Sequence, residues 1–91
     1  MGVEQEAVIR EIVVPFENGL HARPAALLAQ TASRFQGEIL VRARDRVVSG
    51  KSILGLLTLG AKCGENLSVE ARGPDAASDV MNAIAALFDS L

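Results

Sequence analysis

The sequence predicts an α+β fold in which one largely antiparallel sheet carries its helices on a single face. Three observations lead there. Apolar residues recur with a two-residue period in some segments and with helical spacing in others, in the order β-α-β-β-α-β-α. Each candidate strand has one apolar side, so it needs one cover rather than two. The 91 residues hold no repeat, linker or low-complexity stretch, and 49% are apolar, enough for one core of small aliphatic side chains with three phenylalanines. A single domain spanning residues 1–91 follows.

From Arg10, Ile12, Val14 and Phe16 alternate with Glu11, Val13 and Pro15, which predicts a first strand with a β-branched bias. Asn18-Gly19 breaks it. Between Ala22 and Phe35 the positions Ala25, Leu28, Ala29, Ala32 and Phe35 predict a first helix, with Pro24 tolerated in its first turn. Gly37 ends this helix, and Glu38 to Ala43 places Ile39, Val41 and Ala43 on one strand face. Asp45-Arg46 reads as a tight turn into a short strand, Val47 to Ser49, completing a hairpin. After Gly50-Lys51-Ser52, the run Ile53, Leu54, Leu56, Leu57 and Leu59 predicts a short helix that stops at Gly60. Gly64 marks a loop, and Leu67, Val69 and Ala71 alternate with polar neighbours as a fourth strand. Gly73-Pro74-Asp75 introduces a last helix with Ala77, Val80, Met81, Ile84, Leu87 and Phe88 on one face. A ferredoxin-like arrangement shares much of this order, so periodicity leaves the strand order open.

Composition narrows the function classes. Nine basic and eleven acidic residues are mixed along the chain, with a formal net charge of -2 and no basic stripe for a phosphate backbone, so no nucleic-acid partner is expected. No window approaches a membrane span, and the N-terminal MGVEQEAVIR has no apolar run, which predicts neither export nor a membrane partner. One cysteine, Cys63, cannot form an internal disulfide or build a metal site alone, so a cytoplasmic protein without metal or cofactor is expected.

The chemistry converges on NGLHARPAA, residues 18–26, which holds the only histidine. His21 falls just before the first helix, where the following amides have no intrahelical acceptor and the helix dipole favours an anion. Arg23 adds a fixed cation whose paired donors suit phosphate oxygens. An unprotonated imidazole is nucleophilic at neutral pH, so a phosphohistidine fits this corner. There is no second histidine, and one imidazole without further partners makes no Ser-His-Asp or metal constellation, which suits a carrier that depends on other enzymes rather than an enzyme in its own right. An arbitrary lone histidine is more often a surface helix cap; the local motif reverses that weighting.

NGLHARPAA together with GKSILGLLTLG, beginning at Gly50, resembles the histidine-containing phosphocarrier (HPr) family of the bacterial phosphoenolpyruvate-dependent phosphotransferase system. The resemblance runs from about Arg10 to Leu87. It implies an open-faced β-sandwich, a four-stranded antiparallel sheet under three helices. It implies that His21 is phosphorylated on Nδ1 by enzyme I and passes the phosphoryl group to an enzyme IIA protein or domain in sugar transport, with Arg23 stabilising the phosphate. It maps a regulatory phosphoserine onto Ser52, modified by HPr kinase/phosphorylase, where the plain alternative is a helix N-cap worth about 1 kcal/mol. Around it, exposed members of Ile53, Leu54 and Leu57 would form an apolar partner-docking patch on a monomeric carrier, although core burial explains at least half of these side chains.

Two features depart from the common sugar-type pattern. Leu54 replaces a frequent aromatic, and Gln30 and Ser33 replace basic residues late in the first helix, leaving Arg34 nearby. VEARGPDA and IAALFDSL are similar to the nitrogen-branch relative (NPr type). The alternative function is therefore a regulatory binding module acting through the Ser52 face, including a nitrogen-branch role.

Overall fold

The computed structural model describes residues 6–73 and 77–90. Its elements are β1 (Glu6–Val13), α1 (Ala22–Ser33), β2 (Glu38–Ala43), β3 (Arg46–Ser49), α2 (Ile53–Leu59), β4 (Asn66–Gly73) and α3 (Ala77–Ser90). The strands form one sheet in the order β1-β4-β2-β3, and every neighbouring pair is antiparallel. β1 and β2 therefore run parallel with β4 inserted between them, as do β4 and β3 around β2. Strands β4 and β2 occupy the centre, so the chain adopts the open-faced sandwich and not a ferredoxin-like order.

Register follows from alternation. Val41 lies opposite Val69 and Ile39 opposite Ala71, which sends both pairs to the helix-covered side, where all four are buried. Leu28 of α1, Leu56 and Leu59 of α2, and Met81 and Ile84 of α3 close over them with at most 1% exposure. Each such aliphatic side chain contributes about 1.5–3 kcal/mol when removed from water. The other sheet face carries Glu11, Glu38, Arg42, Glu70 and Arg72, with an ion pair of 2.5 Å between Arg72 and Glu70. Ile9, Val13 and Val47 are exposed on the same face, so the uncovered side of the sheet mixes charged and apolar side chains.

Several boundaries differ from the sequence expectation. β1 begins at Glu6 rather than Arg10 and ends at Val13 rather than Phe16, because its eight residues pair along the whole of β4. Val14 and Phe16 are nonetheless buried, so the apolar alternation continues past the last ladder pair. α1 ends at Ser33, with Phe35 still in the core. The hairpin turn is Arg44-Asp45 instead of Asp45-Arg46, because Ala43 pairs with Arg46. Gly60 is the left-handed C-cap of α2 (φ 61°), and Gly73 closes β4. Pro74 and Asp75 lie outside the described residues.

Among the described residues no helix is long and apolar enough to cross a membrane, and no group of three metal-ligating side chains occurs. Cys63 is exposed.

Candidate functional site

The segment between β1 and α1 is built to deliver His21 to the start of a helix. A turn closes where the Gly19 amide donates to the Phe16 carbonyl at 2.8 Å, and Gly19 adopts φ 72°, a left-handed conformation that favours glycine. Space requires glycine too. A Cβ on Gly19 would lie 2.5 Å from the carbonyl oxygen of Ala61. Leu20 then donates its amide to that oxygen at 2.9 Å and buries its side chain, which anchors the chain one residue before the histidine.

His21 is the N-cap of α1, with extended backbone (φ -90°, ψ -170°), and its carbonyl accepts from the Ala25 amide at 3.0 Å. Its side chain makes no capping hydrogen bond. The imidazole is thus exposed and is not spent on stabilising the helix, whose first amides, on Ala22 and Arg23, have no intrahelical acceptor by position. Pro24, buried in the first turn, brings no N–H to be satisfied. α1 has no acidic residue in its first turn, so nothing there offsets the positive end of its dipole.

His21 and Arg23 line the same surface depression, of about 340 Å³, together with Phe16, Pro24 and Ser90. Phe16 packs against Phe88 with ring centroids 5.3 Å apart, which ties the wall of the depression to the last turns of α3. An imidazole, a guanidinium and the N-terminal amides of a helix around a shallow open site can receive a phosphoryl group and remain accessible to a partner protein.

Ser52 is the N-cap of α2, and its hydroxyl oxygen accepts from the Gly55 amide at 2.9 Å. Leu54 is 75% exposed and Ile53 44%, whereas Leu57 is half-buried against the core. Ile53 shares a groove with Ala29, Gln30, Ser33, Arg34 and Lys51, so the two departures from the common pattern on α1 face the start of α2. The structure thus brings His21 and Arg23 together, and it joins Ile53 to the later part of α1.

Sequence reasoning missed Phe16 and Ser90 as walls of the depression, and Ala61 as the acceptor that fixes Leu20. Phe16 carried a misleading strand signal through its parity with Ile12 and Val14. Ser90 and Ala61 are about 70 and 40 residues from His21 in the chain, beyond the reach of any local pattern.

Comparison with known proteins agrees with this geometry. Residues 8–90 match the family described as the PTS HPr component phosphorylation site. The chain is 40% identical over 84 residues to the phosphocarrier protein HPr of Treponema pallidum, covering 91% of this chain and 93% of that one. It is 41% identical over 81 residues to a multiphosphoryl transfer protein of Xanthomonas campestris pv. campestris, covering 89% of this chain but only 10% of that much longer protein. Among solved structures, HPr-C-His from Thermoanaerobacter tengcongensis superposes with a TM-score of 0.85 at 37% identity, covering 91% of this chain and 92% of that one.

Proposed function

The chain belongs to the HPr phosphocarrier family of the phosphotransferase system, and from that premise we propose that His21 accepts a phosphoryl group from phosphorylated enzyme I and yields it to an enzyme IIA protein or domain. The observation that carries this reading is the exposed N-cap imidazole without a capping role, in one depression with Arg23. In the transfer, the Nδ1 lone pair of His21 attacks phosphorus, the donor's P–N bond breaks, and its electron pair returns to the donor imidazole. Nδ1 is the ring nitrogen nearer the backbone, which favours it for a phosphoryl group held by the amides of Ala22 and Arg23. The tautomer required carries its proton on Nε2. Arg23 neutralises charge on the phosphoryl oxygens as they move.

On this reading the site holds the group for transfer to a partner. Among the described residues the depression presents one imidazole and one guanidinium, which supports a carrier whose partner supplies the second half of each transfer. Ser52 serves first as the cap of α2. Its phosphorylation by an HPr kinase/phosphorylase would place about 1.5–2 negative charges beside the exposed Ile53 and Leu54 and so oppose docking there.

Incubation with phosphoenolpyruvate and enzyme I, followed by detection of acid-labile phosphate, tests the proposal. The parent is expected to gain one phosphoryl group and His21→Ala none, with unchanged circular dichroism. An alanine variant that still accepts phosphate would remove His21 from the mechanism.

A further inference from the structure

We propose that Arg44 and Glu65 form a clamp that positions the loop carrying His21, which makes Glu65 a positioning residue for phosphoryl transfer. The inference rests on the carrier reading of His21. The loop hangs at both ends on residues 61–65. At its start, Val14 donates its amide to the Glu65 carbonyl at 2.9 Å and accepts from the Gly64 amide at 2.8 Å. At its end, Leu20 donates to the Ala61 carbonyl at 2.9 Å, one residue before His21. The backbones approach so closely at Gly19 that a displacement of Ala61 is passed on to the acceptor loop.

Residues 62–65 are themselves a turn, closed by the Glu65 amide on the Lys62 carbonyl at 3.0 Å, with Gly64 at φ 91° in the third position as a type II turn requires. The Glu65 carboxylate braces this turn from outside. Its Oε1 accepts the Lys62 amide at 2.7 Å. Both of its oxygens accept from Arg44 Nη1, at 2.8 and 2.9 Å, while Arg44 Nη2 donates to the Leu59 carbonyl at the end of α2. One guanidinium in the β2–β3 turn thereby fixes the end of α2 and the entry to β4. Arg44 does this from φ 57°, the left-handed conformation that the first position of a two-residue hairpin loop takes. An exposed ion pair adds little to global stability, so the effect of this one falls on the local geometry it braces.

The test combines amide exchange with transfer kinetics on the full chain. In Glu65→Ala, and in Arg44→Gly, whose backbone accepts φ 57° without strain, the Leu20 amide is expected to exchange faster while that of Val69, central in the sheet, is unchanged. kcat for phosphorylation by enzyme I should fall about tenfold, the scale of a small misplacement of a reacting group. KM should stay within about twofold, because Ile53 and Leu54 are untouched. Glu65→Gln keeps an acceptor for the Lys62 amide and should recover part of both losses. Folded variants with the parent's kcat and Leu20 exchange would overturn the proposal, as would a loss confined to KM or faster exchange throughout the sheet. A parent that accepts no phosphoryl group would instead defeat the carrier reading, and the exchange rates would still decide whether the clamp holds the loop.

Discussion

His21 occupies a position where most residues would be recruited as a cap, and it leaves that role undone. The N-cap preference for Ser, Thr, Asp or Asn is worth about 1 kcal/mol, so the helix gives up stability to keep the imidazole and its own amides available. Arg23 serves the same purpose through charge. Arg23→Ala is expected to slow phosphorylation of His21 by about 10²-fold, the scale of losing one donor to a developing charge. An exposed side chain outside the core should leave stability within about 0.5 kcal/mol. Quench-flow rates and urea melts of one preparation check both; equal rates would take Arg23 out of the mechanism. Glu65 gives a pH prediction. The Lys62 amide, then the Arg44 side chain, hold its carboxyl below the ordinary value of 4.5, with the Arg44 and Lys62 charges acting the same way and desolvation opposing. A depressed carboxyl contributes stability above its unfolded pKa and loses it as pH falls through the folded one. The stability difference between parent and Glu65→Gln should therefore be constant from neutral pH down to about 4.5 and vanish in stronger acid. A difference that disappears between pH 7 and 6 would contradict the assignment.

At the scale of elements, α2 shows how little a short helix can stand on its own. Seven residues are too few for independent stability, so burial of Leu56 and Leu59 and the Ser52 cap must hold it. Its neighbour Lys51 donates from Nζ to the Phe35 carbonyl at 2.6 Å, tying the approach to α2 to the chain leaving α1. Ser52→Ala is expected to lower stability by about 1 kcal/mol. Ser52→Asp should preserve it, because a carboxylate can take the Gly55 amide and complement the helix dipole. The same Asp should slow His21 phosphorylation by setting a charge beside Leu54. Thermal melting and transfer rates on both variants decide the matter. A folded Asp variant with the parent's rate would confine Ser52 to capping, and a destabilised one would show that the carboxylate does not replace the hydroxyl.

For the whole molecule, one covered sheet face concentrates the stability in few side chains. Leu67 is fully buried in β4, the strand paired on both sides. Leu67→Ala should cost about 2–5 kcal/mol through lost transfer energy and an unfilled cavity. That is a large part of the roughly 5–15 kcal/mol that a domain possesses. Urea titration should show a lower midpoint with an unchanged slope. A variant as stable as the parent would mean that the core can collapse around the deletion.

Element types were legible because period two and period 3.6 are local properties: β2 and the start of α1 fall where alternation and Pro24 place them. The candidate site was legible for a related reason, since His21, Arg23 and the Asn18-Gly19 turn are close in sequence and Ser52 directly precedes an apolar helical run. Boundaries set by partners were not. β1 extends to Glu6 because β4 is there to pair with it, a fact held in residues about 60 positions away. The insertion of β4 between β1 and β2, the meeting of Phe16 and Ser90 with His21, and the Arg44–Glu65 clamp all belong to the tertiary structure. By itself the sequence determined which segments become helix or strand and which side chain, that of His21, stands at the start of the first helix beside Arg23. Only the tertiary structure decided which distant groups support that side chain, because hydrophobic periodicity specifies the buried face of an element and not which other element will cover it.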